Sequence, residues 1–350
     1  MAVNQKRVFY VNRLSANTYI STLAARPDIK LDKLDNATAE AVFGETLAGS
    51  HGYQIGASRD ELQPRYMGGA ALLAQAPNLL VLSSGGAGYD TIDVDAATAA
   101  GVLAVNQAGG NAEAVAEHAL ALMLNLTKRI METDRFMRRQ ANIPKNDFMG
   151  RNLEQKTVGL VGLGHVGSRV AEMCRVLFQA RILAFDPYLS AEQMAAKGAE
   201  KCDLDTVLRE SDFVSIHCPR TKETLKLIST REFGLMKPNA YFVNTARGGI
   251  HDETALTVAI ASKQIAGAGL DVWDPEPPDP AHPLLGFDNV IASPHTAGIT
   301  RESRDMMGQI AATQMIDILD GKRPPRLLNP DVWPAYTTRF ERIMGFKPAG

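Results

Sequence analysis

Residues 157–173, TVGLVGLGHVGSRVAEM, constrain the fold of this chain more than any other stretch. An apolar run of strand length stops at Gly162, and Gly164 and Gly167 follow where apolar residues begin to recur at helical spacing through residues 168–179. The first glycine permits a tight turn, the second lets a phosphate group approach the backbone, and the third allows close helix–strand packing. The N–H groups that open such a helix supply hydrogen-bond donors and positive potential. A three-glycine pattern alone says little, so its surroundings decide. RILAFD reads as a second strand and ends at Asp186, about 20 residues further on, where a carboxylate accepts from both ribose hydroxyls of NAD and repels the 2′-phosphate of NADP. The expectation is an NAD site on Gly162, Gly164, His165, Val166, Gly167 and Asp186.

The remainder of this half alternates strands and helices. TVGLVG, RILAFD, DFVSIHC, AYFVNTA, IAGAGLDV and NVIASP are strand candidates, several of them nearly continuous apolar runs, as expected where helices cover both faces of a parallel sheet. Before it, RVFYV, YQIGA, NLLVLSS and VLAVN read as strands, and residues 37–48 and 64–76 as helices, so the first part of the chain is also α/β. Residues 111–137 keep helical spacing without an internal Gly or Pro and read as one long connector helix, which 141–155 breaks. Residues 302–320 read as a further helix ended by prolines, beyond which a tail carries Trp333, Tyr336 and Phe340.

With 350 residues, two domains are the natural expectation. A hydrophobic content of 45%, a charged content of 22% and a net charge of −2 suit a folded, water-soluble chain and advertise no nucleic-acid or anionic-membrane surface. The basic pairs Arg138–Arg139 and Lys322–Arg323 are short enough to be solvated helix ends. Cys174, Cys202 and Cys218 are odd in number and lack the spacings of zinc sites or disulfide frameworks, which points to a reducing, cytoplasmic setting without a metal. The N-terminus does not read as a signal peptide, and no apolar run approaches the ~20 residues that span a bilayer.

An NAD site implies hydride transfer, and moving a hydride to a carbonyl carbon calls for a cation to polarise the carbonyl and an acid to protonate the forming alkoxide. Arg247, Glu276 and His295 each follow a strand candidate, where ligands gather in open α/β sheets.

The phrases around these three, NTARGG, GLDVWDPEP and SPHTAG, resemble the signature of the D-specific 2-hydroxyacid dehydrogenases. LSSGGAGYDTID is similar to that family's substrate loop, VNQAGGNAEAVAEHALALML to its helix entering the cofactor domain, and HCPRTKET to a further motif, so that the likeness spans about residues 79 to 300. It implies two doubly wound parallel-sheet α/β domains. A Rossmann cofactor domain, 116–300, is inserted in a flavodoxin-like substrate domain formed by 1–115 and 301–350, and homodimers are usual. It further implies that Arg247 binds the substrate carboxylate and carbonyl, that His295 is the general acid–base, and that Glu276 orients the imidazole and raises its pKa. Ala87 and Gly88 would offer backbone N–H groups to the carboxylate, and Val115, His217, Cys218, Pro219, Thr224, Thr245, Ala246, Asp271 and Gly298 would lie near NAD with Arg247 and His295.

Glu276 separates the chain from the formate dehydrogenases, whose related site lacks that acid. Arg59 is the one basic residue beside the strand YQIGA, where phosphoglycerate dehydrogenases often carry more, so an unphosphorylated acid is expected. The alternative is a protein like the C-terminal binding protein corepressors, which share this architecture and use NAD(H) as an assembly signal.

Overall fold

This computed structural model describes residues 5–14, 16–59, 62–142 and 144–349. They fall into two compact units, 1–111 with 300–350, and 112–299.

In the first unit, β1 (Lys6–Val11), β2 (Ile29–Leu34), β3 (Gly52–Ile55), β4 (Val81–Ser84) and β5 (Leu103–Val105) form a parallel sheet in the order β2-β1-β3-β4-β5. This is the flavodoxin-like order, with its topological switch between β1 and β3. Strands β3 and β4 and the terminal strand β5 are buried along their whole length, although Gln54, Ser83 and Ser84 are polar. On one face Phe9 stacks on Tyr53 with ring centroids 4.2 Å apart, and Phe43 meets Tyr66 edge-on. On the other, Val8 and Val81 pack with Met315, Ile318, Tyr336 and Phe340. The residues after Asn329 are therefore no appendage to this unit: the helix Trp333–Met344 supplies two fully buried aromatic rings, and Arg339 donates to the carbonyls of Ala76, Pro77 and Leu79.

Two expectations for this unit need correction. Residues 64–76 do not make one helix. A 3-10 turn, Pro64–Tyr66, and a four-residue helix, Ala70–Leu73, flank Gly68, whose N–H donates to Thr91 O and whose missing side chain leaves room for Leu82. The helix Asn17–Ala24 and strand β2 went unread, because β2 (IKLDKL) is an edge strand with charged, partly exposed positions that form ion pairs such as Arg7–Asp32.

The second unit contains β6 (Thr157–Val161), β7 (Arg181–Phe185), β8 (Glu200–Lys201), β9 (Phe213–Ile216), β10 (Tyr241–Asn244), β11 (Gly267–Leu270) and β12 (Val290–Ala292). All are parallel, in the order β12-β11-β10-β9-β6-β7-β8. The direction of winding reverses between β6 and β9, which places the ligand crevice of a doubly wound sheet beyond their carboxyl ends. Residues 111–137 are not a single helix. The helix Ala112–Lys128 ends at Arg129, whose φ of 55° is left-handed, and Ile130–Arg139 starts a new one. Arg129 is held there by its ion pair with Glu132 and by donation to Asp147 O. Helical spacing continues through such a residue, so periodicity alone does not reveal the break.

Among the described residues, no helix is long and apolar enough to cross a membrane, and no group of three His, Cys, Asp or Glu side chains could hold a metal ion.

Candidate active site

The glycine turn follows β6 and opens the helix His165–Phe178. Gly162 has φ 96°, and a Cβ there would lie 2.6 Å from Cys218 N; a Cβ on Gly167 would strike the Gly162 carbonyl. Gly164 differs, because a Cβ there would meet nothing within 4 Å. Two glycines thus close the turn on itself and the third leaves its backbone open. No side chain caps the helix start, so the His165 and Val166 N–H groups begin a turn suited to an anion. Asp186 follows β7 and ties this turn together: its carboxylate accepts from Leu163 N and Tyr188 N, each at 3.0 Å.

His217, Cys218 and Pro219 follow β9, the strand beside β6. Burial lowers the His217 imidazole to about 4 and raises the Cys218 thiol to about 11, so at neutral pH both are uncharged. The Thr224 hydroxyl donates to Pro219 O at 2.7 Å and accepts from Thr221 N, fixing the loop. Val115 is a buried residue of the helix Ala112–Lys128. Thr245 is also buried, and its hydroxyl has no hydrogen-bond partner among the described residues. An open glycine cradle at a helix start, an acid after the second strand and an orphaned hydroxyl after β10 together fit a dinucleotide.

Beyond β10 the chain turns through Thr245, Ala246 and Arg247. Asn244 shapes this turn, donating to Arg247 O at 3.0 Å and accepting from Ala246 N at 2.9 Å. Sequence reasoning passed over Asn244, although an Asn closing an apolar strand is itself a turn signal.

His295, after β12, donates from Nδ1 to Glu276 Oε2 at 2.8 Å. This bond raises the imidazole pKa despite opposition from burial. Burial pushes Glu276 upward, but the hydrogen bond and charge of His295 outweigh it and hold the carboxyl below its ordinary range. The charge of Arg247 reaches both partners, disfavouring imidazolium and favouring carboxylate. Glu276 is itself anchored by Trp273 N, which donates to Oε1 at 2.9 Å.

The fully buried Asp271 carboxylate accepts from Ser293 Oγ, Thr296 N and Ala297 N at 2.6–2.9 Å, while its backbone oxygen accepts from His295 N. These bonds shape the turn that carries His295, with Gly298 closing the same SPHTAG phrase. Because the Ser293 hydroxyl proton goes to Asp271, His118 Nε2, 3.0 Å away, is the donor to Ser293 Oγ. His118 and Ser293 were not foreseen; both look like ordinary polar residues until the helix Ala112–Lys128 packs beside the end of β12.

Ala87 and Gly88 belong to the first unit, in the turn after β4. In the first unit Arg65 is occupied by Glu40 and by the carbonyls of Asn36 and Thr38, and it lies over the Tyr66 ring. Arg59 is exposed and donates to Asp90 O.

A family model described as "D-isomer specific 2-hydroxyacid dehydrogenase, NAD binding domain" matches residues 120–297. A D-3-phosphoglycerate dehydrogenase of Archaeoglobus fulgidus is 41% identical over 278 residues, 79% of this chain and 52% of that protein, so the chain spans about half the length of this relative. A glyoxylate reductase of Thermofilum pendens is 42% identical over 267 residues, 75% of this chain and 78% of that one. Among solved structures, a D-lactate dehydrogenase of Aquifex aeolicus complexed with NAD and lactic acid superposes with a TM-score of 0.75 at 27% identity, covering 90% of this chain and 96% of its own. By these matches and by its two parallel-sheet units, the chain belongs to the D-isomer specific 2-hydroxyacid dehydrogenase family, with the NAD-binding domain in residues 120–297.

Proposed function

We propose that this protein reduces small, unphosphorylated 2-keto acids such as glyoxylate or hydroxypyruvate to the D-2-hydroxy acids, and oxidises them in reverse. The observation that carries the reading is the His295–Glu276 hydrogen bond formed within reach of the Arg247 charge. NAD, when bound, supplies or takes up the hydride exchanged with C2 of the acid.

The open backbone at Gly164 and the N–H groups of His165 and Val166 hold the cofactor's pyrophosphate, Asp186 its ribose, and the loops ending in Pro219, Thr224 and Ala246 its remainder. Arg247 holds the substrate carboxylate and stabilises negative charge developing on the C2 oxygen. His295, protonated at Nε2 for reduction, donates that proton to the same oxygen; for oxidation it starts neutral and accepts it. Glu276 keeps the Nδ1 proton in place and stabilises the imidazolium. Ala87 and Gly88 offer N–H groups to the carboxylate, and the first unit is read as the substrate domain.

An unphosphorylated substrate is favoured because Arg65 is already bound to Glu40 and two carbonyls. A phosphate dianion calls for several free donors or cations. By likeness to the family the protein is read as a homodimer, and by its three free cysteines as cytoplasmic, which sedimentation velocity and fractionation examine.

NADH consumption against glyoxylate, hydroxypyruvate and 3-phosphohydroxypyruvate tests the proposal. Turnover with none of them would turn the reading toward an NAD(H)-sensing binding protein. A clear preference for the phosphorylated acid would reject the substrate class.

A further inference from the structure

The turn after β4 is held by its carbonyls. Ser84 O accepts from the side-chain nitrogens of both Gln54 (3.0 Å) and Gln107 (2.6 Å), and Gly86 O accepts from Gln107 N at 2.9 Å. Ala87 O accepts from Asn106 Nδ2 at 2.7 Å, and Gly88 O from Ser84 Oγ at 2.5 Å. Asn106 is fixed in turn, its side-chain oxygen taking Ala108 N and its backbone oxygen taking Gln314 Nε2 from the helix Arg301–Leu319. The donors of the turn are treated differently: among the described residues, neither Ala87 N nor Gly88 N makes a hydrogen bond.

The amides that do this work are expensive to bury. Gln54, Gln107 and Gln314 are 3%, 0% and 3% exposed, and the side-chain oxygen of each is without a partner among the described residues. An aliphatic residue of similar size would fill the same space without stranding an acceptor, so core packing does not account for these glutamines. What Gln54 and Gln107 supply is the pair of Nε2 donors that converge on Ser84 O, and Gln314 supplies the donor to Asn106 O; an orphaned buried acceptor calls for such an explanation.

We propose that Gln54, Asn106 and Gln107 are positioning residues: by fixing the turn's carbonyls they keep the Ala87 and Gly88 N–H groups set for a carboxylate. The inference rests on the reading of this turn as a seat for the substrate's carboxylate. Preorganised donors bind an anion without first paying to order the loop, so losing the anchors weakens substrate binding more than it slows the chemical step.

The test uses Gln107→Met and Asn106→Ala in the full-length protein, with KM and kcat for the best keto acid of the panel, inhibition by oxalate as a carboxylate probe, NADH affinity by fluorescence, and Tm. The expected result is a rise of about tenfold in KM and in the oxalate inhibition constant, a kcat within about threefold, and unchanged NADH affinity. Folded variants whose KM and oxalate inhibition stay within about twofold of the parent would overturn the proposal. If Gln107→Met does not fold, Gln54→Met, which removes one of two donors to the same carbonyl, takes its place. Ala87→Pro, which removes one of the N–H groups itself, separates the layers. A raised KM in Ala87→Pro without one in the anchor variants rejects the positioning role alone, whereas an unchanged KM in Ala87→Pro rejects this turn as the carboxylate's seat.

Discussion

Glu276 and His295 come within 2.8 Å of each other although they follow different strands, and His295 reaches that position with a left-handed backbone, φ 55°. A non-glycine residue in that region is uncommon and is kept where surrounding bonds fix it. Here Asp271 does so from both its carboxylate and its backbone oxygen.

The pair makes the pH profile a direct readout. Glu276 raises the His295 pKa, so Glu276→Gln lowers it. Reduction needs the imidazolium, and its high-pH limb is expected to move to lower pH. Oxidation needs neutral imidazole, and its low-pH limb moves the same way. At neutral pH reduction suffers more. The pH dependence of kcat/KM in both directions checks this, and limbs that stay in place would show that the two groups do not act together in catalysis.

Replacing Asp271 with Asn is expected to act through His295. An amide keeps one acceptor oxygen but replaces the other with a donor facing Ser293 Oγ, Thr296 N or Ala297 N. The loss of at least one buried bond costs about 1–3 kcal/mol. Urea unfolding measures that cost, and kcat should fall in a folded variant while NADH affinity changes little. An unaltered kcat would mean that the His295 turn does not depend on this carboxylate.

The three glycines should separate folding from cofactor binding. Gly162→Ala and Gly167→Ala place a methyl group against Cys218 N and the Gly162 carbonyl, so both should destabilise the protein by about 1–3 kcal/mol. Gly164→Ala adds its methyl group to open space and should leave Tm almost unchanged, yet weaken NADH binding about tenfold or more, ~1.4 kcal/mol. Thermal unfolding with a fluorescence titration of each variant distinguishes them. Full NADH affinity in Gly164→Ala would remove this turn from the pyrophosphate.

Asp186 should favour NAD over NADP by about tenfold or more, since a carboxylate repels a phosphate dianion. Asp186→Ser narrows the preference, at some cost in stability because Leu163 N and Tyr188 N lose a charged acceptor. Kinetics with both cofactors decide it, and equal efficiency in the parent enzyme would contradict the assignment.

Arg247→Ala should lower kcat/KM for the keto acid by at least about a hundredfold, about 2.7 kcal/mol, while NADH affinity holds. Lys should restore part of it, because a point charge lacks the planar fork of the guanidinium. Near-normal turnover in the Ala variant would place the substrate's cation elsewhere.

The sequence by itself determined the α/β character of both units and the place of the glycine turn, because buried parallel strands are largely apolar and a left-handed turn with φ 96° at Gly162 demands glycine. It also put Arg247, Glu276 and His295 at strand ends. Edge strand β2 escaped, since an edge need not be apolar, and so did the break at Arg129, where one left-handed residue ends a helix without changing its periodicity. Only the tertiary structure decided which polar residues act together. Asp271, Ser293 and His118 become one hydrogen-bonded chain, and Gln54 and Gln107 share one carbonyl. Such groupings form when helices and strands far apart in sequence pack side by side, and a hydrogen bond between distant side chains leaves no periodic trace in the chain that makes it.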